Sequence, residues 1–364
     1  MTHSFSFEQE LGSGAMGTIY EAHAAETGEH VAVKVLHQHL ANDEDICSRF
    51  DREARAAARL NHPNCVKIES YGLLDDGRRF IAMEFVDGEN LEQVLKANGP
   101  LAAKEVIRAG IEIAEALHAA HVQDVIHRDL KPANILLERG DLSQMRLRVC
   151  DFGIAKILNS STNSYQTMSG MVCGTPDYIS PEQARGLPLD GRSDLYSLGI
   201  LMFELLTGRP PFSGKNALEL MNQHIRIEAP SIRKKRPEIP ESLDTFILGL
   251  LSKKPKDRPT DASEVVETLK SMLDGTPVKT AFKGNDTFDS GGITGIQNFA
   301  LDETLEQQRP STTEVNIMQA AGRNEPMLEN LREEESGLPL SVLMVLVIVG
   351  TCIAYAAISL LFFP

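Results

Sequence analysis

The stretch Gly12-Ser13-Gly14-Ala15-Met16-Gly17 limits the fold more than any other, because of the segment it leads into. A G-x-G-x-x-G that opens a dinucleotide-binding unit runs directly into a helix. Here Thr18–Ala22 alternates, Thr27-Gly28-Glu29 turns, and Val31–Val35 is β-branched, so the glycines sit in a hairpin. Backbone without a Cβ can approach phosphate closely. Lys34, late in the second strand, can point into the cleft beneath the hairpin and meet phosphate oxygens as a point charge. A lysine held there needs a partner. Ser48–Leu60, rich in Ala and Arg, reads as a helix and carries two acids, Asp51 and Glu53. Glu53 is preferred as the ion-pair partner because the apolar face of Ala57 and Leu60 comes after it.

The formal net charge is −15, from 51 acids and 36 bases, which argues against a general nucleic-acid binder. The five cysteines are odd in number and form no C-x-x-C, so neither a disulfide scaffold nor a cysteine zinc site is expected, and a reducing compartment fits. The N-terminus has no basic segment leading into an apolar one and does not read as a signal peptide. Leu340–Phe363 is 24 residues without a formal charge. As a helix it would be ~36 Å long, enough to cross a ~30 Å hydrocarbon core, and it reads as a tail anchor. Between 275 and 337 there are eleven acids and five bases, and apolar periodicity fades, as in a flexible acidic tether. Residues 1–274 remain as one unit large enough for two lobes.

Further along that unit, Ile107, Ile111, Ala114, Leu117 and His121 keep helical spacing. Then come His127-Arg128-Asp129-Leu130-Lys131-Pro132-Ala133-Asn134, Asp151-Phe152-Gly153, Gly174-Thr175-Pro176-Asp177-Tyr178 and Ser180-Pro181-Glu182. With the glycine loop and Val31-Ala32-Val33-Lys34, these stand in one order and spacing. Over about residues 7–270 the chain resembles the Hanks-type (eukaryotic-like) Ser/Thr protein kinases, in detail their bacterial membrane-anchored branch.

That resemblance implies an α+β, two-lobed protein kinase fold over 1–274. The N-lobe, about 1–85, would hold a five-stranded sheet and one helix. The C-lobe, about 86–274, would be mainly helical. The linker 275–337 and a single transmembrane helix within 338–364 would come next. The implied reaction is transfer of the ATP γ-phosphate to protein Ser or Thr hydroxyls, a matter of positioning and charge neutralisation. Asp129 would accept the hydroxyl proton and Lys131 contact the γ-phosphate. Lys34, fixed by Glu53, would hold the α- and β-phosphates. Asn134 and Asp151 offer oxygen ligands for Mg²⁺, which Mn²⁺ can replace. Leu11, Ile19, Ala32, Val86 and Leu136 would sandwich adenine, with Gly12, Gly14 and Gly17 around the phosphates. Met83 would be the gatekeeper, and the backbones of Glu84 and Val86 would bond the base. Lys131 and Thr175, the latter in the substrate-docking segment, fit the Ser/Thr rather than the Tyr class.

Other residues read as structural. His127 is expected to brace the loop rather than act as base, and Asp194 to anchor the catalytic-loop backbone. Glu182 and Arg258 are expected to form a buried ion pair. Cys150 should line the nucleotide pocket as an inert thiol. Arg128 would meet a phosphate on the loop after Asp151, with Thr167 and Ser169 the favoured sites among its hydroxyls. Gly350, Ala354 and Ala357 share one helix face and could pair two copies as a homodimer for trans-autophosphorylation. Protein substrates, no nucleic acid, and single-pass attachment to the cytoplasmic membrane with the kinase unit in the cytosol complete the expectation. The competing reading is a membrane-tethered pseudokinase scaffold, which would normally lack Lys34, Asp129 or Asp151; all three are present.

Overall fold

Three antiparallel strands carry the glycine loop and Lys34: β1 (Phe5–Ser13), β2 (Gly17–Ala24) and β3 (His30–Leu36). With β4 (Ile68–Leu73) and β5 (Arg79–Glu84) they form one five-stranded sheet in the order β1-β2-β3-β5-β4. The computed structural model describes residues 4–138, 146–152 and 176–276. In β3 the run Val31–Leu36 is buried on both faces, since the sheet is covered on both sides. One side packs Val33, Val35 and Phe80. The other packs Ala32, Leu36 and Ile81 against helix α1 (Glu44–Ala57).

Helix α1 begins four residues before the Ser48 expected and ends three before Leu60. Asp43 caps it by accepting from the Ile46 N–H at 3.0 Å, and Glu44 and Asp45 sit where the helix dipole favours acids. Its buried stripe is Ile46, Cys47, Phe50, Glu53, Ala54 and Ala57. Glu53 is the one charged residue on that stripe, facing inward with the apolar side chains.

Past β5 the chain enters a mainly helical lobe. Its elements are β6 (Gly88–Asn90), α2 (Leu91–Asn98), α3 (Ala103–His121), β7 (Ile135–Glu138), β8 (Leu147–Val149), α4 (Pro181–Ala184), α5 (Arg192–Thr207), α6 (Ala217–Arg226), α7 (Glu241–Leu250) and α8 (Ala262–Leu273). Helix α5 is buried nearly all round and forms the axis of this lobe. It stops at Gly208, whose φ of 76° closes the helix in the left-handed region. The strands β6-β7-β8 make a small antiparallel sheet on the cleft floor. The two lobes are stitched where β8 meets the segment after α1: Val66 N–H donates to Val149 O at 2.9 Å, and Val149 N–H to Asn64 O at 2.8 Å.

The two-lobed α+β architecture is therefore that of a protein kinase, with the antiparallel sheet and single helix in the first lobe. Among the described residues no helix is long and apolar enough to cross a membrane. The expected linker beyond Thr276, the span Leu340–Phe363 with Gly350, Ala354 and Ala357, and the sites Thr167, Ser169 and Thr175 lie outside the described residues.

Candidate active site

Between the sheet and the cleft floor lies a cavity of ≈ 600 Å³, within the range of small-molecule sites. Its apolar walls are Leu11, Ile19, Ala32, Met83, Val86 and Leu136, and Glu84 edges it. Gly12, Gly14 and Gly17 roof it. The reasons for these glycines differ. A Cβ on Gly17 would lie 2.3 Å from Val35 O, so packing within the protein demands glycine there. A Cβ on Gly12 or Gly14 would meet nothing within 4 Å. Neither has a positive φ, so the protein's own structure makes no demand for glycine at either place. The room they leave benefits whatever enters the cavity, as a phosphate cradle requires.

Lys34 and Asp151 meet at the back. Lys34 Nζ lies 2.8 Å from Asp151 Oδ1, with the two side chains 11 % and 20 % exposed. Burial alone would raise the Asp151 carboxyl, but the Lys34 charge and hydrogen bond outweigh it and hold its pKa below the usual value. Among the described residues Lys34 makes its ion pair with Asp151, where the sequence pointed to Glu53. The physical reason is proximity across the cleft, since β3 and the turn after β8 face each other and the attraction is strong in a partly dry site. Glu53 stays buried on α1 and does not line the cavity. Its competitor Asp51 is turned elsewhere, with both oxygens 3.0 Å from Arg79 Nε on β5.

Asp129 stands at the mouth, its side chain 40 % exposed. Lys131 Nζ donates to its Oδ2 at 2.7 Å. Asn134 Nδ2 donates to Asp129 O at 2.7 Å and to Oδ2 at 3.3 Å, which turns the amide oxygen away from these contacts. The start of the loop is pinned to the lobe. Asp194, fully buried at the start of α5, accepts the N–H groups of His127 and Arg128, each at 2.8 Å. It also contacts His121 Nε2 at 2.7 Å. Burial would raise its carboxyl, but the His121 hydrogen bond and charge and the loop N–H groups hold it below the usual value.

His127 is fully buried. Its Nδ1 accepts the Asp129 N–H at 3.3 Å, and its Nε2 lies 2.9 Å from Cys150 O. A carbonyl only accepts, so Nε2 carries the proton and Nδ1 the lone pair. Both nitrogens are committed to backbone, and neither is available to a substrate.

Glu182 and Arg258 pair in the floor of the lobe, with Nη1–Oε1 at 2.7 Å and Nη2–Oε2 at 2.9 Å. Burial raises the Glu182 carboxyl, but Arg258 and the Ser193 hydroxyl outweigh it and hold it low. Cys150 lines the cavity and donates to Asn134 O at 3.3 Å, and burial pushes its thiol up.

Three residues at the site carry no role on sequence grounds. Tyr178 lines the cavity and donates to Glu204 at 2.5 Å. Gln183 lines it too and donates to Arg128 O at 2.8 Å. His37 Nε2 bonds Gly14 O at 2.8 Å from the loop after β3. Each contact joins segments far apart in sequence, and only the local S-x-x-Q pattern at Ser180–Gln183 is a signal the sequence carries.

Comparison with known proteins agrees with this geometry. The model of the protein kinase domain family matches residues 5–270. The serine/threonine-protein kinase pkn3 of Myxococcus xanthus is 40 % identical over 290 residues, covering 77 % of this chain and 53 % of its own length. The serine/threonine-protein kinase PrkC of Bacillus subtilis is 36 % identical over 326 residues, 90 % of this chain and 47 % of its own. The chain thus spans about half the length of these relatives. Among solved structures, a double mutant of the PknI kinase domain of Mycobacterium tuberculosis superimposes with a TM-score of 0.60 at 29 % identity, covering 75 % of this chain and 97 % of that one. Rad53 residues 1–466 in complex with AMP-PNP give 0.59 at 28 % identity, covering 72 % and 64 %. Ordered motifs, two-lobed fold, cleft geometry and matched relatives agree: the chain belongs to the protein kinase family, in the company of the bacterial serine/threonine-protein kinases.

Proposed function

We propose that the protein is a Ser/Thr protein kinase that transfers the γ-phosphate of ATP to hydroxyls of protein substrates. One observation carries the reading: Asp129, Lys131, Asn134, Asp151 and Lys34 line one cavity whose roof has two glycines without a packing reason. Adenine fits between the apolar walls, and the phosphates lie under the glycine loop. Lys34, already at the back of the site, supplies positive charge to them. Asp129 takes the proton of the incoming hydroxyl. Lys131 shares its Oδ2 and sits where it can meet the transferred phosphoryl group. Asn134 holds Asp129 through two hydrogen bonds, one to its backbone carbonyl and one to its carboxylate.

The residues present also fit a divalent cation. Asp151 offers a carboxylate kept ionised by Lys34, and Asn134 an amide oxygen that accepts no hydrogen bond among the described residues. Mg²⁺ commonly keeps several waters and takes one or two protein carboxylates plus phosphate, so no larger cage is called for; Mn²⁺ can substitute. When bound, the metal neutralises charge on the phosphates. The scaffold reading is not favoured, since each residue that such a protein would normally lose is in place.

The same reading extends to residues outside the described ones. Thr175 would contact Asp129 and Lys131 in the docking segment. Phosphate on Thr167 or Ser169 would activate the enzyme, and Leu340–Phe363 would hold it on the cytoplasmic membrane with the catalytic unit in the cytosol. The face of Gly350, Ala354 and Ala357 would bring two copies together. The test is to incubate the full chain in lipid, as wild type and as Asp129→Asn, with Mg-ATP and a basic protein substrate. Mass spectrometry should find phosphoserine or phosphothreonine only with wild type, including on Thr167 or Ser169. A variant as active as wild type would refute the reading, since loss of a general base costs roughly 10²- to 10⁴-fold.

A further inference from the structure

Arg128, the residue before the proposed base, has a φ of 67°. An arginine in the left-handed region is strained and persists only where the surroundings over-determine it. The backbone groups on either side of the Arg128–Asp129 peptide can be accounted for one by one. The Arg128 N–H goes to Asp194 Oδ1 at 2.8 Å. The Asp129 N–H goes to His127 Nδ1 at 3.3 Å, and the Asp129 carbonyl takes Asn134 Nδ2 at 2.7 Å. The remaining group, the Arg128 carbonyl, takes Gln183 Nε2 at 2.8 Å.

Gln183 is 5 % exposed and comes from a different part of the chain, 55 positions on. Its own orientation is fixed at both ends. Its Oε1 accepts the Ser180 N–H at 2.9 Å, and its backbone N–H donates to Ser180 Oγ at 3.2 Å, a capping box at the start of α4. With Oε1 committed to an N–H, the amide has one orientation, and its Nε2 is aimed at the Arg128 carbonyl. A trans peptide places its N–H opposite its carbonyl. Holding the Arg128 oxygen toward α4 therefore turns the Asp129 N–H toward His127.

We propose that Gln183 is a positioning residue for the base: it locks the Arg128–Asp129 peptide in its strained orientation and couples the seating of α4 to the geometry of Asp129. This rests on the kinase reading. Gln183 touches no reacting atom, so its loss should lower turnover and leave nucleotide affinity alone.

The test uses the full chain as wild type, Gln183→Met, which keeps the length and loses both polar contacts, and Gln183→Glu, which can still accept from Ser180 N–H but cannot donate when ionised. Two quantities are read. Amide hydrogen exchange by mass spectrometry tracks the segment 127–131, and turnover is measured per nucleotide-binding site, titrated with ADP. Expected are at least tenfold faster exchange in that segment for both variants, at least tenfold lower kcat, and a KM for ATP within twofold of wild type. Counting only sites that bind nucleotide removes misfolded protein from the comparison. Unchanged exchange would overturn the proposal, and so would faster exchange with wild-type kcat. A wild type that binds ADP yet transfers no phosphate would overturn the kinase reading instead, while the exchange data would still decide whether Gln183 holds the loop.

Discussion

Replacing Arg258 with methionine should be among the most destabilising single changes in this lobe. The two partners are 0 % and 5 % exposed, so solvent screens the pair hardly at all. Arg258 gives Glu182 two short hydrogen bonds, and also bonds Ser252 O at 2.9 Å and Arg192 O at 2.8 Å. Its guanidinium lies 4.9 Å from the centre of the Tyr196 ring. Methionine retains the packing and removes the charge. Glu182 then keeps only the Ser193 hydroxyl among these partners, at 2.7 Å. Leaving one partner of a buried ion pair uncompensated costs about 3–5 kcal/mol. At about 2–4 °C per kcal/mol for a domain of this size, Tm should fall by roughly 10 °C.

Differential scanning calorimetry at neutral pH measures this directly. Glu182 adds a second check. Its folded pKa lies below its unfolded value, so the stability it contributes is present above the unfolded pKa and is lost as pH falls through the folded one. The gap between wild type and Arg258→Met should therefore shrink as pH falls: the orphaned carboxyl, raised by burial with no Arg258 to oppose it, protonates first, and wild-type Glu182 loses its contribution only below its unfolded value. The double variant Glu182→Leu with Arg258→Met should recover part of the loss, because no charge is then left behind. A fall of under 2 °C at neutral pH, or a double variant less stable than the two single losses added together, would refute the argument.

The two kinds of glycine in the roof should separate in the same assays. Gly17→Ala drives a Cβ into the Val35 carbonyl and should lower stability by about 1–3 kcal/mol, read as Tm. Gly12→Ala meets nothing in the protein, so Tm should hold while the KM for ATP rises. Among the thiols, burial pushes Cys65 up to about 12 and moves Cys150 upward as well. Peptide mapping after iodoacetamide treatment at pH 8 should find both unlabelled in the native protein and labelled after denaturation.

The signals legible in the sequence are local, and the contacts it hides are long-range. The alternation in Val31–Val35 and the hairpin turn place Lys34 on its strand without reference to the rest of the chain. The same reasoning names two acids on α1 and separates them by the apolar residues that follow Glu53. The structure does so with Arg79, 28 positions away on β5, which takes Asp51. Lys34's partner in the fold is Asp151, 117 positions away, and no periodicity reaches that far. The start of α1 differs from expectation for another reason. Asp43-Glu44-Asp45 is a cap with first-turn acids, a local signal that the Ala- and Arg-rich run after it overshadows. The Ser180–Gln183 box is also readable as a cap, yet the contact of the same side chain with Arg128 depends on where the lobe folds back.

Two residues with carboxylate chemistry are reached by one imidazole. Asp151 has a φ of 62° and comes directly after Cys150, whose carbonyl takes His127 Nε2; the Asp129 N–H goes to His127 Nδ1. The ring lies 4.9 Å from that of Phe152. His127 thus spaces the proposed base from the proposed metal ligand. His127→Phe keeps a ring of similar size and loses both bonds. It should lower kcat at least tenfold per nucleotide-binding site, through misplacement of Asp129 and Asp151. The pH profile discriminates this from catalysis by the imidazole itself. If His127 were the base, the variant would lose the acid limb of the pH–rate curve along with the rate. Because both nitrogens are bound to backbone, the limb should stay where it is while the whole curve drops. A limb that disappears in His127→Phe would mean that the ring leaves these contacts during turnover, and the assignment of the base to Asp129 would fall with it.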